Sequence, residues 1–218
     1  MKKLVTLFAF AAIIAGAVSA QDVTIPKRNY INLAFATQEL KPAEDGFDGD
    51  GLKSDMGLAA EFGRTFFFNG RKPIAGMVRI GIDWSYLDLQ YASFKQEFGD
   101  ESIDSHFANI GMQFGPSVTV TPFEKLNLKA YIRYAPSFAA FSPESWDNVK
   151  FGYAGYITGG VQASYRFITL GVELRSCKAK MSNINIEDIE EIEDLGDISG
   201  PKVKVKLPST RFIVGFRF

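Results

Sequence analysis

The chain closes with Thr210-Arg211-Phe212-Ile213-Val214-Gly215-Phe216-Arg217-Phe218, and this stretch decides the fold. Its apolar residues recur at every second position, which is the period of a β-strand. One face of that strand would carry Phe212, Val214, Phe216 and Phe218, and the other Arg211, Ile213, Gly215 and Arg217. An exposed edge strand of this kind would promote aggregation in water. A closed barrel in lipid removes the edge and gives the Phe face an apolar solvent.

Seven further segments alternate in the same way. Together the eight segments are 30–38, 56–68, 78–86, 108–120, 127–134, 151–165, 168–177 and 203–218. The connections between them run long, short, long, short, long, short, long. In an up-and-down barrel this order places the short turns at one end and the long loops at the other. The sequence therefore predicts an all-β fold, an eight-stranded antiparallel up-and-down transmembrane β-barrel.

Polar loops and prolines set the expected limits and irregularities of the strands. Polar loops are expected at 92–103 and 137–150. Pro136 is expected to end the fifth strand. Pro116 lacks the N–H that a ladder needs, so a bulge is expected there.

Residues 1–20 have the pattern of a secretory signal peptide. Two lysines precede a short apolar run, and Val18-Ser19-Ala20 supplies the small residues that predict cleavage after Ala20. The remaining chain, 21–218, suits one domain and has no second long apolar run. Its single cysteine, Cys177, excludes an intramolecular disulfide. With 24 Lys and Arg against 25 Asp and Glu, we expect no nucleic-acid binding.

Alternation alone does not say which face lies inside. A soluble lipocalin-like barrel would turn the apolar face inward and carry an apolar ligand, whereas a membrane barrel inverts this arrangement. The polar face favours the membrane barrel because it is rich in small residues, which a narrow lumen requires. Aromatic residues also collect toward the ends of the apolar stripes, as at membrane interfaces. They are Tyr30, Trp84, Tyr86, Tyr134, Tyr153 and Tyr165.

The same inward face carries charges that would be buried in an eight-stranded barrel. They are Glu61, Arg79, Asp83, Lys129, Arg133, Glu173, Arg175, Arg211 and Arg217. Since an unpaired buried charge costs several kcal/mol, we expect an internal ion-pair network that plugs the lumen. The expected pairs join Glu61 and Asp83 to Arg79 and Arg211. They also join Glu173 to Arg133 and Arg175.

No strong catalytic, metal or cofactor motif is present, and we expect a protein that is not an enzyme. The only histidine, His106, has Ser102 and Asp104 at alternate positions before it. This arrangement is a weak candidate for a lipid-modifying hydrolase at the outer membrane surface. The acidic stretch 44–51 lacks the register and the closing Glu of a calcium loop, so no EF-hand is expected there. The acidic run 187–197 is interpreted as a solvated external loop.

These segments resemble the small eight-stranded outer-membrane barrel family (OmpA/OmpX type), with the barrel only. The resemblance implies a site in the cell outer membrane, contact with its lipids and lipopolysaccharide, and a structural or surface-interaction role through external loops. It also implies that Phe216 and Phe218 form the C-terminal signal read by the barrel assembly machinery. The lipocalin-like carrier and the lipid-modifying hydrolase remain as alternatives.

Overall fold

In a computed structural model of the protein, the strands pair side by side into a closed ring. The structure describes residues 26–42, 51–69, 72–98, 101–143, 149–183 and 203–218. None of these residues belongs to a helix with the length and hydropathy of a membrane span. The expected signal peptide, the stretch 187–197 and nearly all of 44–51 lie outside the described residues. The strands are β1 (Asn29–Pro42), β2 (Leu52–Lys53), β3 (Met56–Phe67), β4 (Val78–Phe98), β5 (Glu101–Phe123), β6 (Leu126–Pro143), β7 (Lys150–Tyr165), β8 (Ile168–Ser176), β9 (Lys178–Asn183), β10 (Val203–Lys206) and β11 (Ser209–Arg217).

We call each strand of the barrel wall a stave, and count two consecutive strands that continue along the same line as one stave. The eleven strands form eight staves, because β2 continues into β3, β8 into β9 and β10 into β11. Each stave pairs antiparallel with the next, and the last pairs with the first. The closing ladder runs from Tyr30↔Arg217 to Gln38↔Ser209. The prediction of an eight-stranded antiparallel up-and-down barrel is thus confirmed. We call the end with the turns after β3, β5 and β7 the short-turn end, and the opposite end the long-loop end.

The polar face lies inside the barrel and the apolar face lies outside. In β1, Leu33 and Phe35 are 57% and 64% exposed, whereas Asn32 between β11 and β3 is only 2% exposed. The lipocalin-like alternative requires the opposite arrangement, so the structure contradicts it. One assignment of the aromatic stripe was also wrong: Tyr30 points inward and is buried, because it has the same parity as Asn32.

Two expected loops are largely strand. β4 continues to Phe98 and β5 starts at Glu101, although a loop was expected over 92–103. β6 passes through Pro136 and ends at Pro143. The expectations failed because alternate residues of these extensions, such as Phe94 and Phe107, are buried inside the barrel. Burial inside the barrel, with ladder hydrogen bonds from neighbouring strands, continues a strand past a polar or proline-containing stretch.

The expected bulge at Pro116 is absent from the described ladders. Phe114↔Tyr134 and Ser117↔Tyr131 keep one register on either side of it. A register shift occurs instead between Ser85 and Asp88, where β4 faces β5. An extra residue in one strand reverses the side of the sheet to which the following residues point. Residues of β4 beyond this shift therefore face the opposite side from the one that strict alternation predicts.

Inward glycines provide the space for inward tyrosine rings. A Cβ atom on Gly63 would lie 2.4 Å from the hydroxyl of Tyr30, and one on Gly160 would lie 2.4 Å from the hydroxyl of Tyr131. Each ring therefore lies over the adjacent strand, at a residue that has no side chain. This explains why the polar face alternates small residues with large ones.

Candidate functional site in the barrel interior

Four acidic and four basic side chains meet in the middle of the barrel, and all are at most 4% exposed. β3 contributes one acid, β4 two, β6 two cations, β8 an acid and a cation, and β11 a cation. We call this set the ionic layer. Its members are Glu61, Asp83, Asp88, Lys129, Arg133, Glu173, Arg175 and Arg211.

Arg133 is the centre of the ionic layer. Its guanidinium contacts the carboxylates of Glu61 and Glu173 directly, and its Nη1 lies 3.3 Å from Oδ2 of Asp83. Lys129 Nζ holds the same Oδ2 of Asp83 at 2.7 Å. Carboxylates from three strands therefore converge on two cations of one strand, β6.

A second cluster surrounds Asp88. Arg211 Nη1 lies 2.5 Å from Asp88 Oδ1, and Arg175 Nη2 lies 2.9 Å from Asp88 Oδ2. Both arginines also donate to Oε1 of Gln90, at 2.8 and 3.1 Å. Arg211 Nη1 lies 3.4 Å from Glu173 Oε1, which joins this cluster to Arg133. The ionic layer is therefore continuous across the lumen.

Neutral hydrogen-bond donors satisfy the remaining acceptors of these carboxylates. Asn32 Nδ2 donates to Glu61 at 2.9 Å, and Tyr131 OH donates to Glu173 at 2.9 Å. Thr65 Oγ1 donates to Asp83 Oδ1 at 2.5 Å. Buried ion pairs need such additional bonds, because desolvation otherwise exceeds their attraction.

The partners differ from those expected from the sequence. Glu61 and Asp83 were expected to pair with Arg79 and Arg211, but the structure brings Arg133 to both. Arg79 lies nearer the short-turn end, where its Nη1 donates to Thr121 Oγ1 at 3.3 Å. The expected neighbours of Glu173 are both close, Arg133 in direct contact and Arg175 at 3.9 Å.

Sequence reasoning missed Asp88 and Gln90, which join two arginines of the ionic layer. Both have the parity of the outward residues Ile82 and Trp84, so strict alternation places them in lipid. The register shift after Ser85 turns them inward. A charged residue at an apolar position of an otherwise regular stripe was the available signal, since lipid exposure would be costly there.

Above the ionic layer, toward the long-loop end, the lumen contains a cluster of buried apolar side chains that we call the apolar cap. The largest side chains of the apolar cap, which are almost completely buried, are Phe94, Phe107, Tyr156, Met181 and Leu207. Cys177 lies in the same cluster, at the break between β8 and β9. The sequence did not predict this layer. The ionic layer and the apolar cap thus occupy two successive levels of the lumen.

The His106 arrangement lies outside the barrel and does not form a relay in the described residues. Residues two apart on one strand are separated by about 6.8 Å, which is too far for a direct hydrogen bond. Tyr91 on the neighbouring strand holds His106 instead, with its hydroxyl 2.8 Å from Nδ1. The side chain of Ser102 is not described. Nor is any group of three or more His, Cys, Asp or Glu in the described residues arranged to hold a metal.

The C-terminal aromatic residues lie on the outer face at the short-turn end. Phe216 stacks on Phe167 with ring centroids 6.3 Å apart, and the backbone N–H of Phe218 donates to Asn29 O at 3.1 Å. Both side chains are exposed. Their role as an assembly signal stays a prediction.

No protein-family model matches the chain, and no curated protein gives a significant match. Among solved structures, Ail, the attachment invasion locus protein of Yersinia pestis, is 15% identical over 89% of this chain and 100% of its own, with a TM-score of 0.41. Neisserial surface protein A is 12% identical over 87% and 97%, with a TM-score of 0.47. The outer membrane protease OmpT of Escherichia coli is 10% identical over 92% and 100%, with a TM-score of 0.49. The barrel itself is established by the strand pairing of this chain.

Removal of the central cation tests the energetics of the ionic layer. We expect Arg133→Met to lower the free energy of unfolding by about 3–5 kcal/mol, since it leaves buried carboxylates without their shared partner. Urea titration of the refolded barrel measures this loss. The matched control is Arg64→Met, a half-exposed residue whose guanidinium lies over Phe66 at 5.3 Å, with an expected loss of no more than about 1 kcal/mol. Equal losses in the two variants would refute the central role of Arg133.

Proposed function

We propose that this chain is an integral barrel of the cell outer membrane, with a closed interior and a structural or surface-interaction role carried by its long-loop end. The observation that carries the proposal is the outward apolar belt. Large apolar side chains surround the barrel, and eight of them are 55–72% exposed: Leu33, Phe35, Ile132, Phe138, Ile157, Leu170, Leu174 and Phe212. A soluble monomer rarely exposes contiguous apolar patches larger than a few hundred Å². Lipid is the solvent that suits such a surface.

The strand lengths support the same proposal. β8 and β11 are each 9 residues long, and a tilted transmembrane strand needs about 9–11 residues. Exposed aromatic rings gather at the short-turn end, where an interface belt would lie. They include Phe66, Phe68, Phe123, Phe167 and Phe218.

The filled lumen favours a surface role over transport. Buried charges and the apolar cap occupy the space through which a solute would have to pass. β4, β5 and β6 have 21, 23 and 18 residues, so their long-loop ends extend well past the length that a membrane requires. Contacts with lipopolysaccharide or with a surface ligand would use this projecting part.

Cell fractionation tests the location. We expect the full-length chain in the outer membrane fraction, with an SDS-gel mobility that changes on boiling, because a closed barrel resists detergent until it is heated. Recovery as a soluble periplasmic protein without a mobility change would refute the proposal.

Arginine substitutions at two depths along β11 test whether the outer face of the barrel contacts lipid. We expect Val214→Arg, at mid-belt in β11, to lower the free energy of unfolding in phospholipid vesicles by about 2–4 kcal/mol. Thr210→Arg, on the same face two alternate positions nearer the long-loop end, is expected to cost about 0–1 kcal/mol. Urea titration of both variants gives the comparison. A cost that does not depend on position would mean that this face is in water.

Electrical recording tests the closed interior. In a planar bilayer we expect the inserted protein to show no large, steady open state, because the ionic layer and the apolar cap fill the lumen. A stable, sizeable single-channel conductance would contradict this arrangement.

A further inference from the structure

Lysines stand opposite one another on three neighbouring strands at the long-loop end. Lys206 of β10 pairs in register with Lys178 of β9 on one side and with Lys41 of β1 on the other. One row further along, Lys204 is in register with Lys180. Like charges at directly opposite positions destabilise a sheet. The fold thus collects positive charge at one place at a cost to its own stability.

The side chains of this surface face outward, away from the lumen. Lys178 and Lys204 are exposed, while their neighbours Ala179 and Val205 point inward and are buried. Lys53 of β2 extends the surface beyond β1 and is in register with Glu39. We call the set of Lys41, Lys53, Lys178, Lys204 and Lys206 the lysine surface.

Little negative charge from the described residues balances the lysine surface. Glu39 is shared by Lys41, at 2.6 Å, and Lys53, at 3.9 Å. Within the described ranges, no carboxylate lies within 4.0 Å of Lys178, Lys204 or Lys206. The surface is therefore complementary to a ligand with several negative charges.

The lysine surface begins where the apolar belt stops, and the same order is found on three staves. Apolar side chains come first, then a hydroxyl, and a lysine follows either directly or after one further outward residue. The outward residues in order are Phe35, Thr37, Glu39 and Lys41 on β1; Leu174, Ser176 and Lys178 on β8 and β9; and Phe212, Thr210, Pro208 and Lys206 on β11 and β10. A lipid aligned with this surface has its acyl chains on the belt and its headgroup at the lysines.

We propose that the lysine surface binds the phosphate-bearing headgroups of anionic lipids in the outer leaflet. Each lysine supplies a compact charge with three donors on a flexible stem, which suits phosphate groups at variable positions. The inference rests on the proposed membrane location and adds to it a defined headgroup site. Lipids of this class would neutralise the like-charge rows that the fold creates.

The test compares lipids retained by the intact barrel. Wild type is inserted into vesicles that contain equal amounts of phosphatidic acid and phosphatidylcholine, released in mild detergent, and examined by native mass spectrometry. We expect phosphatidic acid to be retained in preference by about fivefold or more, the ratio expected for a lysine near an anionic surface. Lys178→Gln/Lys204→Gln/Lys206→Gln should bring the ratio close to one. The matched variant with arginine at the same three positions keeps the charge and should keep the preference.

The other outcomes separate this inference from the proposed function. Failure of the wild type to insert and to show the heat-dependent gel shift would overturn the membrane location. Normal insertion with equal retention of both lipids, or an unchanged preference in the glutamine variant, would overturn the headgroup site alone. The acids between Glu187 and Asp197 belong to the segment that joins β9 to β10 in sequence. A preference that emerges only after these acids are replaced by serine would mean that the chain neutralises its own lysines, and would also overturn the inference.

Discussion

The narrow lumen of a closed eight-stave barrel is the constraint on which the rest of this structure depends. Such a ring has room for side chains and for little else. Every charge that points inward must therefore find a partner inside, and the convergence of Glu61, Asp83 and Glu173 on Arg133 meets this demand. The same lack of space requires Gly63 and Gly160 opposite the rings of Tyr30 and Tyr131. The small residues and the paired charges of the inward face are thus both consequences of the narrow width of the lumen.

Closure also decides the chemistry of the outer face. Once β11 pairs with β1, the described ring has no open sheet edge whose backbone donors would have to be satisfied by water. The outer surface can then consist of Phe, Leu, Ile and Val without an edge that recruits other chains. An apolar belt and a polar interior are compatible only in this closed form, which is why the alternation of residues 210–218 was sufficient to favour it.

The sequence predicted the architecture and the inward side of most charges, because a period of two assigns every residue of a regular strand to one face. It failed where the backbone leaves that period. The shift after Ser85 turned Asp88 and Gln90 inward and changed the partners of Arg211. It also failed where distant strands decide the outcome, as at Pro136, which stays in β6 because β7 pairs with it through Gly155. The register between two strands cannot be predicted from the residue pattern of either strand alone.

Because of the apolar cap, the long-loop end is a packed and paired sheet and not a set of separate loops around a membrane pore. Phe94, Phe107 and Leu207 are fully buried at a level where β4, β5 and β6 have already exceeded the length of a span. Their packing holds the projecting strands against one another above the ionic layer. A ligand that approaches this end therefore meets a paired sheet with fixed spacing between side chains. The pairing fixes the backbone positions of the lysines on β1, β9 and β10, so an anion that binds them orders only their flexible side chains and not a loop, and less conformational entropy is lost.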